Sequence, residues 1–356
     1  MGGTAVLQPS YIPLDEALSI LLGYGPDLRN GLTNHAPMAV EAMCAMGRPE
    51  AILPWLEHYR QGMLPRPERH KRIDAQSWRK ALAQEKHVED WAEFFREELQ
   101  QAPWQDVLQR WIARLAPGLS GSATHGVIRV GHAVRSLDQH ESPERLHELA
   151  DALAYMAATY QELPTPTPIP NGRLSPSTAL TQVPVVPEKQ RRFAGTITSS
   201  LGALSEFPAF APVIGLIDVM GDASTVLSQL TETFARVYLA NTHDILTAIV
   251  FIHGVTSATA LRSLLPHVSQ ETARAALRYG WQAGCSLYTT FGSRPDPVEL
   301  IAQPQHDQET LIDMAITHGD EHAIKFMEAC LREYALNPSP AYLAAARHAL
   351  GVLPTK

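Results

Sequence analysis

Almost nowhere in this sequence do apolar and polar residues alternate for long enough to make a strand. Segment after segment instead repeats apolar positions three and four apart, between helix-type start and stop signals. "PMAVEAMCAMG" (Pro37–Gly47) has proline in its first turn and glycine at its stop. "HVEDWAEFFREELQQ" and "PWQDVLQRWIARLAPG" set aromatics on one side and charges on the other. "SPERLHELADALAYMAATYQEL" opens on a cap followed by proline. "DEALSILLGYG" (Asp15–Gly25), "PEAILPWLEHYRQG", "SWRKALAQ", "QETARAALRYGWQAGCSLYTTFG" and "AYLAAARHALGVL" also read as helices, and residues 227–268 as a long apolar helical run. The expected fold class is therefore all-α, multi-helical and globular.

One region cannot be helical over most of its length. Residues 163–192, "LPTPTPIPNGRLSPSTALTQVPVVPEKQRR", carry seven prolines and read as a domain linker or a long connection laid over the surface.

The chain has 356 residues, enough for one large domain or two ordinary ones, and a single domain over residues 1–356 is expected. At 45% hydrophobic and 19% charged, it is a globular rather than a disordered sequence. The net charge of -8, with no basic stripe, argues against a nucleic-acid partner. Cys44, Cys285 and Cys330 are too few and too scattered for a disulfide framework or a Cys-x-x-Cys zinc site. With no signal-peptide pattern, and no apolar stretch read as approaching the ~20 residues of a membrane helix, a soluble, cytoplasmic protein is expected. Nothing sets an oligomeric state.

The nucleotide motifs are missing. There is no G-x-G-x-x-G, no Walker A loop, no G-x-S-x-G and no H-E-x-x-H. The conspicuous chemistry lies in 15 histidines, several in apolar surroundings. His35 sits just before a helix start in "LTNHAPMAVEAM". His125 and His132, seven apart in "SATHGVIRVGHAV", fall on one helical face. His253 lies within "AIVFIHGVTSATAL", with Thr256 one turn later. In "ITHGDEHAIKF" (Ile316–Phe326), His318, His322 and Lys325 share a stripe if the segment is helical throughout. Each has an ordinary explanation: a polar helix start for His35, a histidine bonded to a carbonyl for His125 or His253, packing for His132, a solvated face for the last three. Imidazole is also a common ligand of Zn, Fe, Cu and Ni. Singly, none of these signals defines a site.

Taken together, "NHAPM", "THGVIRVGHA", "FIHGVTS" and "DEHAIKFMEACL" resemble, in order and rough spacing, the questin oxidase-like family. It comprises fungal tailoring enzymes of anthraquinone and aflatoxin-type polyketide pathways, and bacterial relatives. The resemblance implies a helical fold and a non-haem iron oxygenase acting on an aromatic polyketide or quinone. The outcome would be oxidative ring opening, of Baeyer–Villiger or dioxygenase type, with O2 and a small aromatic molecule as partners. It implies Fe(II), or another divalent metal, held by His35, His125, His253, His322 and a carboxylated Lys325, with Thr256 bonded to the carbamate. His132 stands where fungal members are expected to have tyrosine, and His318 is an alternative to His322.

Such a set has a chemical logic. Four neutral imidazoles leave a divalent ion uncompensated, so an anionic oxygen ligand helps, and Glu41 is the acidic residue noticed near the first three histidines. A buried lysine loses its proton more easily, and the neutral amine can add CO2. Ile252, Val255 and Phe326 are expected to keep the site dry and to wall a flat substrate. Two other readings stand beside this one: an NADPH-dependent monooxygenase without metal, for which no nucleotide motif speaks, and a non-catalytic helical ligand-binding protein.

Overall fold

The computed structural model describes residues 8–191, 193, 195–294, 296 and 307–356. Fifteen α-helices and one two-stranded antiparallel sheet are found among them. In chain order the helices are α1 (Leu14–Leu21), α2 (Ala36–Ala45), α3 (Ile52–Tyr59), α4 (Val88–Gln101), α5 (Trp104–Leu115), α6 (His125–Gln139) and α7 (Pro143–Ala158). They continue with α8 (Pro176–Leu180), α9 (Ile197–Gly202), α10 (Ala223–Asn241), α11 (Ile245–Leu264), α12 (Gln270–Phe291), α13 (Gln308–His318), α14 (Glu321–Leu336) and α15 (Pro340–Val352). The all-α expectation holds.

Helix boundaries follow local chemistry. Ser142, Asp222, Asp244, Ser269, Asp307 and Asp320 each accept a backbone N–H in the first turn of the helix they precede. Three helix readings change. The first helix stops at Leu21, and its expected tail becomes β1 (Tyr24–Leu28), which pairs with β2 (Met63–Pro65). "SWRKALAQ" makes only the 3-10 turn Trp78–Lys80. The 227–268 run breaks at Thr242–Asp244, where Asp244 and Thr247 form a capping box that starts α11.

Helix α11 is the hub, packing against α6, α10, α12 and α14. It runs into a 3-10 turn, and Ile245–His267 is long and apolar enough to cross a membrane by length and composition, contrary to the sequence reading. The other elements bury 78% of that stretch, as befits a core helix. The proline-rich region is a surface connection, not an extended linker. It holds the short α8 and is tied to α12 by the Gln282 side chain on Pro164 O and by the Val186 amide on Thr289 O.

Candidate metal centre

Helices α2, α6, α11 and α14 touch in a closed ring: α2 with α6, α6 with α11, α11 with α14, and α14 with α2. Each carries one of the four histidines, His35 at the start of α2, His125 at the start of α6, His253 inside α11 and His322 in the first turn of α14. All four are buried. Residues more than 280 positions apart in the chain therefore meet inside one ring.

His35 Nε2 lies 2.7 Å from His125 Nε2, and His253 Nε2 lies 3.1 Å from the same atom. His322 stands edge-on to His35, ring centroids 4.6 Å apart. Ring nitrogens of His35, His125 and His322 fall within 4.8 Å of one another. Two nitrogens bound to one ion at about 2 Å each lie at most about 4 Å apart; His125 meets that limit with both His35 and His253, while His322 is placed only within 4.8 Å of His35 and His125.

Local structure sets the ring orientations. Gly131 lets α6 approach α11 closely, because a Cβ there would sit 2.7 Å from that of Ala260. Ahead of α6, Ser122, Ala123 and Thr124 all take left-handed backbone angles, with φ of 47°, 51° and 72°. That region is unfavourable for L-residues. The turn carries the Ser122 carbonyl onto Nδ1 of His125. On α11 the Ile249 carbonyl receives Nδ1 of His253 at 2.6 Å. Carbonyls only accept, so both Nδ1 atoms carry the proton and both Nε2 atoms present lone pairs. Two lone pairs facing at 3.1 Å repel unless a cation joins them. His35 adds to this, since its Nδ1 is buried with no hydrogen-bond partner. The donor set thus fits a metal ion.

The electrostatics keep the His35, His125 and His253 imidazoles neutral. Burial, reinforced by Lys325 and neighbouring histidines, holds His35 well below its usual range and takes His125 down to about 3. Burial and His125 do the same to His253. The positive ends of the α2, α6 and α14 dipoles also converge here, so a divalent ion needs anionic help nearby.

Lys325 lies one turn from His322 on α14, is 2% exposed and makes no hydrogen bond or ion pair among the described residues. Burial lowers its amine to about 8, against the opposing pull of Glu321 and Asp320. It borders a cavity of about 10 Å³ with Thr256, His132, Arg135, Glu328 and Arg332. Thr256 is buried there, and its hydroxyl donates to Ile252 O at 3.0 Å.

The other candidates separate from the cluster. His132 is bonded through Nδ1 to Glu41 at 2.6 Å, within a buried network in which Glu41 also takes Tyr11 and Arg135, and Arg135 also takes Glu328. That network accounts for Glu41 as well. His318 closes α13, and Gly319, at φ +77°, turns the chain before Asp320 starts α14. The stripe His318–His322–Lys325 therefore does not exist, and the His318 ring points to Leu353 O at 3.2 Å. Glu321 was overlooked in the sequence, although it directly precedes His322. Its carboxylate lies 3.8 Å from His35 Nδ1 and 3.9 Å from His322 Nδ1. Ile252, Val255 and Phe326 are fully buried, and Phe326 packs on Tyr238 rather than facing a cavity described here.

A sequence model of the questin oxidase-like family matches residues 32–330, a span that holds all four clustered histidines and Lys325. The chain belongs to the questin oxidase-like family. Membership implies an oxidoreductase and points to an anthraquinone-type small molecule as its substrate. No curated protein matches this questin oxidase-like chain.

Proposed function

We propose that this protein is a non-haem iron oxygenase, with the metal held by His35, His125, His253 and His322 and an aromatic polyketide or quinone as substrate. The observation that carries the reading is the pair of proton-free Nε2 atoms of His125 and His253, 3.1 Å apart in a buried site. The metal would supply binding and activation of O2, the co-substrate that oxidises the aromatic ring.

The chain's own residues have definite tasks in this scheme. The Ser122 and Ile249 carbonyls hold the protons of His125 and His253 on Nδ1, which fixes the ligand face of each ring. Burial keeps the His35, His125 and His253 imidazoles neutral and excludes water. For the anionic oxygen ligand we propose Lys325 after carboxylation. Its neutral amine would add CO2, forming an N–C bond and releasing a proton, and the small cavity beside it gives the new group room. Thr256 would meet the carbamate once its hydroxyl leaves Ile252 O. A second reading of this ligand is Glu321, favoured by its distances to His35 and His322.

The test is metal analysis of protein purified without oxygen, followed by O2 consumption with a hydroxyanthraquinone, with and without NADPH. About one iron per chain and substrate-dependent O2 uptake without NADPH are expected. Full turnover by metal-free protein would overturn the reading.

A further inference from the structure

The cavity beside Lys325 is too small for an aromatic substrate, and so are two others of about 10 Å³. A fourth is different. It measures about 310 Å³, within the range of roughly 300–1,000 Å³ typical of small-molecule pockets. Its lining combines α3, the end of α13 and Lys356, with Trp55, Tyr59, Met43 and Ile316 as the apolar walls.

Two features point to a flat ligand. Trp55 and Tyr59, four apart on α3, stack with ring centroids 4.5 Å apart and planes 18° from parallel. The indole is locked, because Trp55 Nε1 donates to Gly319 O at 2.8 Å. A rigid half-buried aromatic pair offers stacking area at little entropic cost.

Three lining residues connect to the histidine cluster, Tyr59 directly and Gly319 and Lys356 through Asp320 and Glu321. The Tyr59 hydroxyl accepts the backbone N–H of His35 at 3.0 Å. Gly319 directly precedes Asp320, Glu321 and His322. The Lys356 amine bonds Asp320 at 3.2 Å and also Glu321, whose carboxylate stands 3.8 Å from His35 Nδ1.

We propose that this cavity is the binding pocket for the flat aromatic substrate, stacked on the Trp55–Tyr59 pair, with Tyr59 forming the wall it shares with the histidine cluster. The assignment of the ligand to a substrate rests on the oxygenase reading above; the pocket itself does not. Ile316 and Met43 then set how wide a ring system is accepted, and the Lys356 amine faces any phenolate or carboxylate the molecule carries.

The experiment is calorimetric titration with anthraquinone-2-sulfonate, a soluble planar probe, on folded protein checked by circular dichroism. Trp55→Ala should weaken binding about tenfold, and Trp55→Phe should hold it within about threefold, since a stacking ring remains. Ile316→Trp, which fills the cavity, should abolish binding. Lys71→Ala, at an exposed residue outside the lining, should bind the probe as the wild type does. Wild-type affinity in both Trp55→Ala and Ile316→Trp, or loss of binding in Lys71→Ala alone, overturns the pocket. Binding that follows the expected pattern without any O2 uptake supports the pocket and counts against the oxygenase reading, so the two failures are distinguishable.

Discussion

The Nε2 atoms of His125 and His253 face one another at 3.1 Å, and neither has a proton to give the other. Their protons are placed on Nδ1 by the Ser122 and Ile249 carbonyls. His35 cannot resolve the conflict. If it donates from Nε2 to His125, its buried Nδ1 is left as a bare acceptor; if Nδ1 holds the proton, a third lone pair enters the cluster. A cation shared by the Nε2 atoms removes their conflict and leaves the His35 proton on Nδ1, toward Glu321 Oε1 at 3.8 Å.

The first prediction follows directly. Removing metal with a chelator should lower the melting temperature, because an ion that binds only the folded state stabilises it by about 2.7 kcal/mol at 100 times its Kd. Alanine at His125 or His253 should cut metal occupancy at least tenfold and abolish that metal-dependent shift. Alanine at His132 or His318 should leave occupancy intact, since both rings are bonded elsewhere. Elemental analysis of the variants checks the ranking, and metal loss in His132→Ala with retention in His253→Ala would sink it.

The network around Glu41 gives a pH prediction that does not involve the metal. Burial alone would raise the Glu41 carboxyl, but Arg135 and His132 outweigh it and hold it well below the usual carboxylate range. A carboxyl whose folded pKa is depressed stabilises the fold above its unfolded value, near 4.5, and loses that contribution as pH falls toward the folded value. Glu41→Gln should therefore destabilise by about 3 kcal/mol at pH 7, as expected when a buried pair is broken. The gap to wild type should narrow as pH falls below about 4.5. Urea denaturation at several pH values measures it, and a gap that stays constant down to pH 3.5 contradicts the assignment.

How much of this was legible in the sequence depended on whether the signal was local. Ser142 announces its helix because a cap acts on backbone three residues away, whereas Asp244, an equally local cap, was read through as part of one apolar run. The four histidines stood out because each lies in an apolar or helix-start context, but their meeting depends on which helices touch. The stripe through His318 misled because Gly319 and Asp320, a stop followed by a cap, were read through as helix. Glu321 was missed since only its fold neighbours, His35 and Lys356, give it meaning. Trp55 and Tyr59 looked like ordinary amphipathic residues, and only the α13–α14 turn across from them makes a pocket.

The left-handed turn before α6 gives a third prediction. Glycine replacing alanine in ordinary backbone destabilises by roughly 0.5–1 kcal/mol. At Ala123, φ is 51°, where an L-residue is strained by about 1–2 kcal/mol. Ala123→Gly should therefore be neutral or stabilising by up to about 1 kcal/mol. It should also weaken metal binding several-fold, because a looser turn holds the Ser122 carbonyl less firmly on His125. Thermal unfolding and metal titration read the two effects separately. A loss of more than about 1 kcal/mol would show that the turn is not strained.

The last prediction concerns Lys325. A surface lysine replaced by methionine changes stability little. Lys325 instead is 2% exposed and makes no hydrogen bond or ion pair among the described residues, so folding desolvates it without compensation. In metal-free protein, Lys325→Met keeps the stem, removes the amine and should raise stability by on the order of 1–3 kcal/mol. In metal-loaded protein the same change should act the other way if the carboxylated lysine is the anionic ligand, lowering metal affinity at least tenfold. Lys325→Glu restores a carboxylate on a shorter stem and should recover part of that affinity. Glu321→Gln separates the two anionic candidates: it should cost less metal than Lys325→Met if the lysine ligates, and more if the glutamate does. The carbamate has its own signature, because Lys325 should carry an added CO2 in intact metal-loaded protein and lose it when the metal is stripped in CO2-free buffer. Carbon-13 NMR after exchange with labelled bicarbonate would report it as a carbamate carbon present only in the loaded wild type. Its absence there, together with full metal affinity in Lys325→Met, would transfer the ligand role to Glu321.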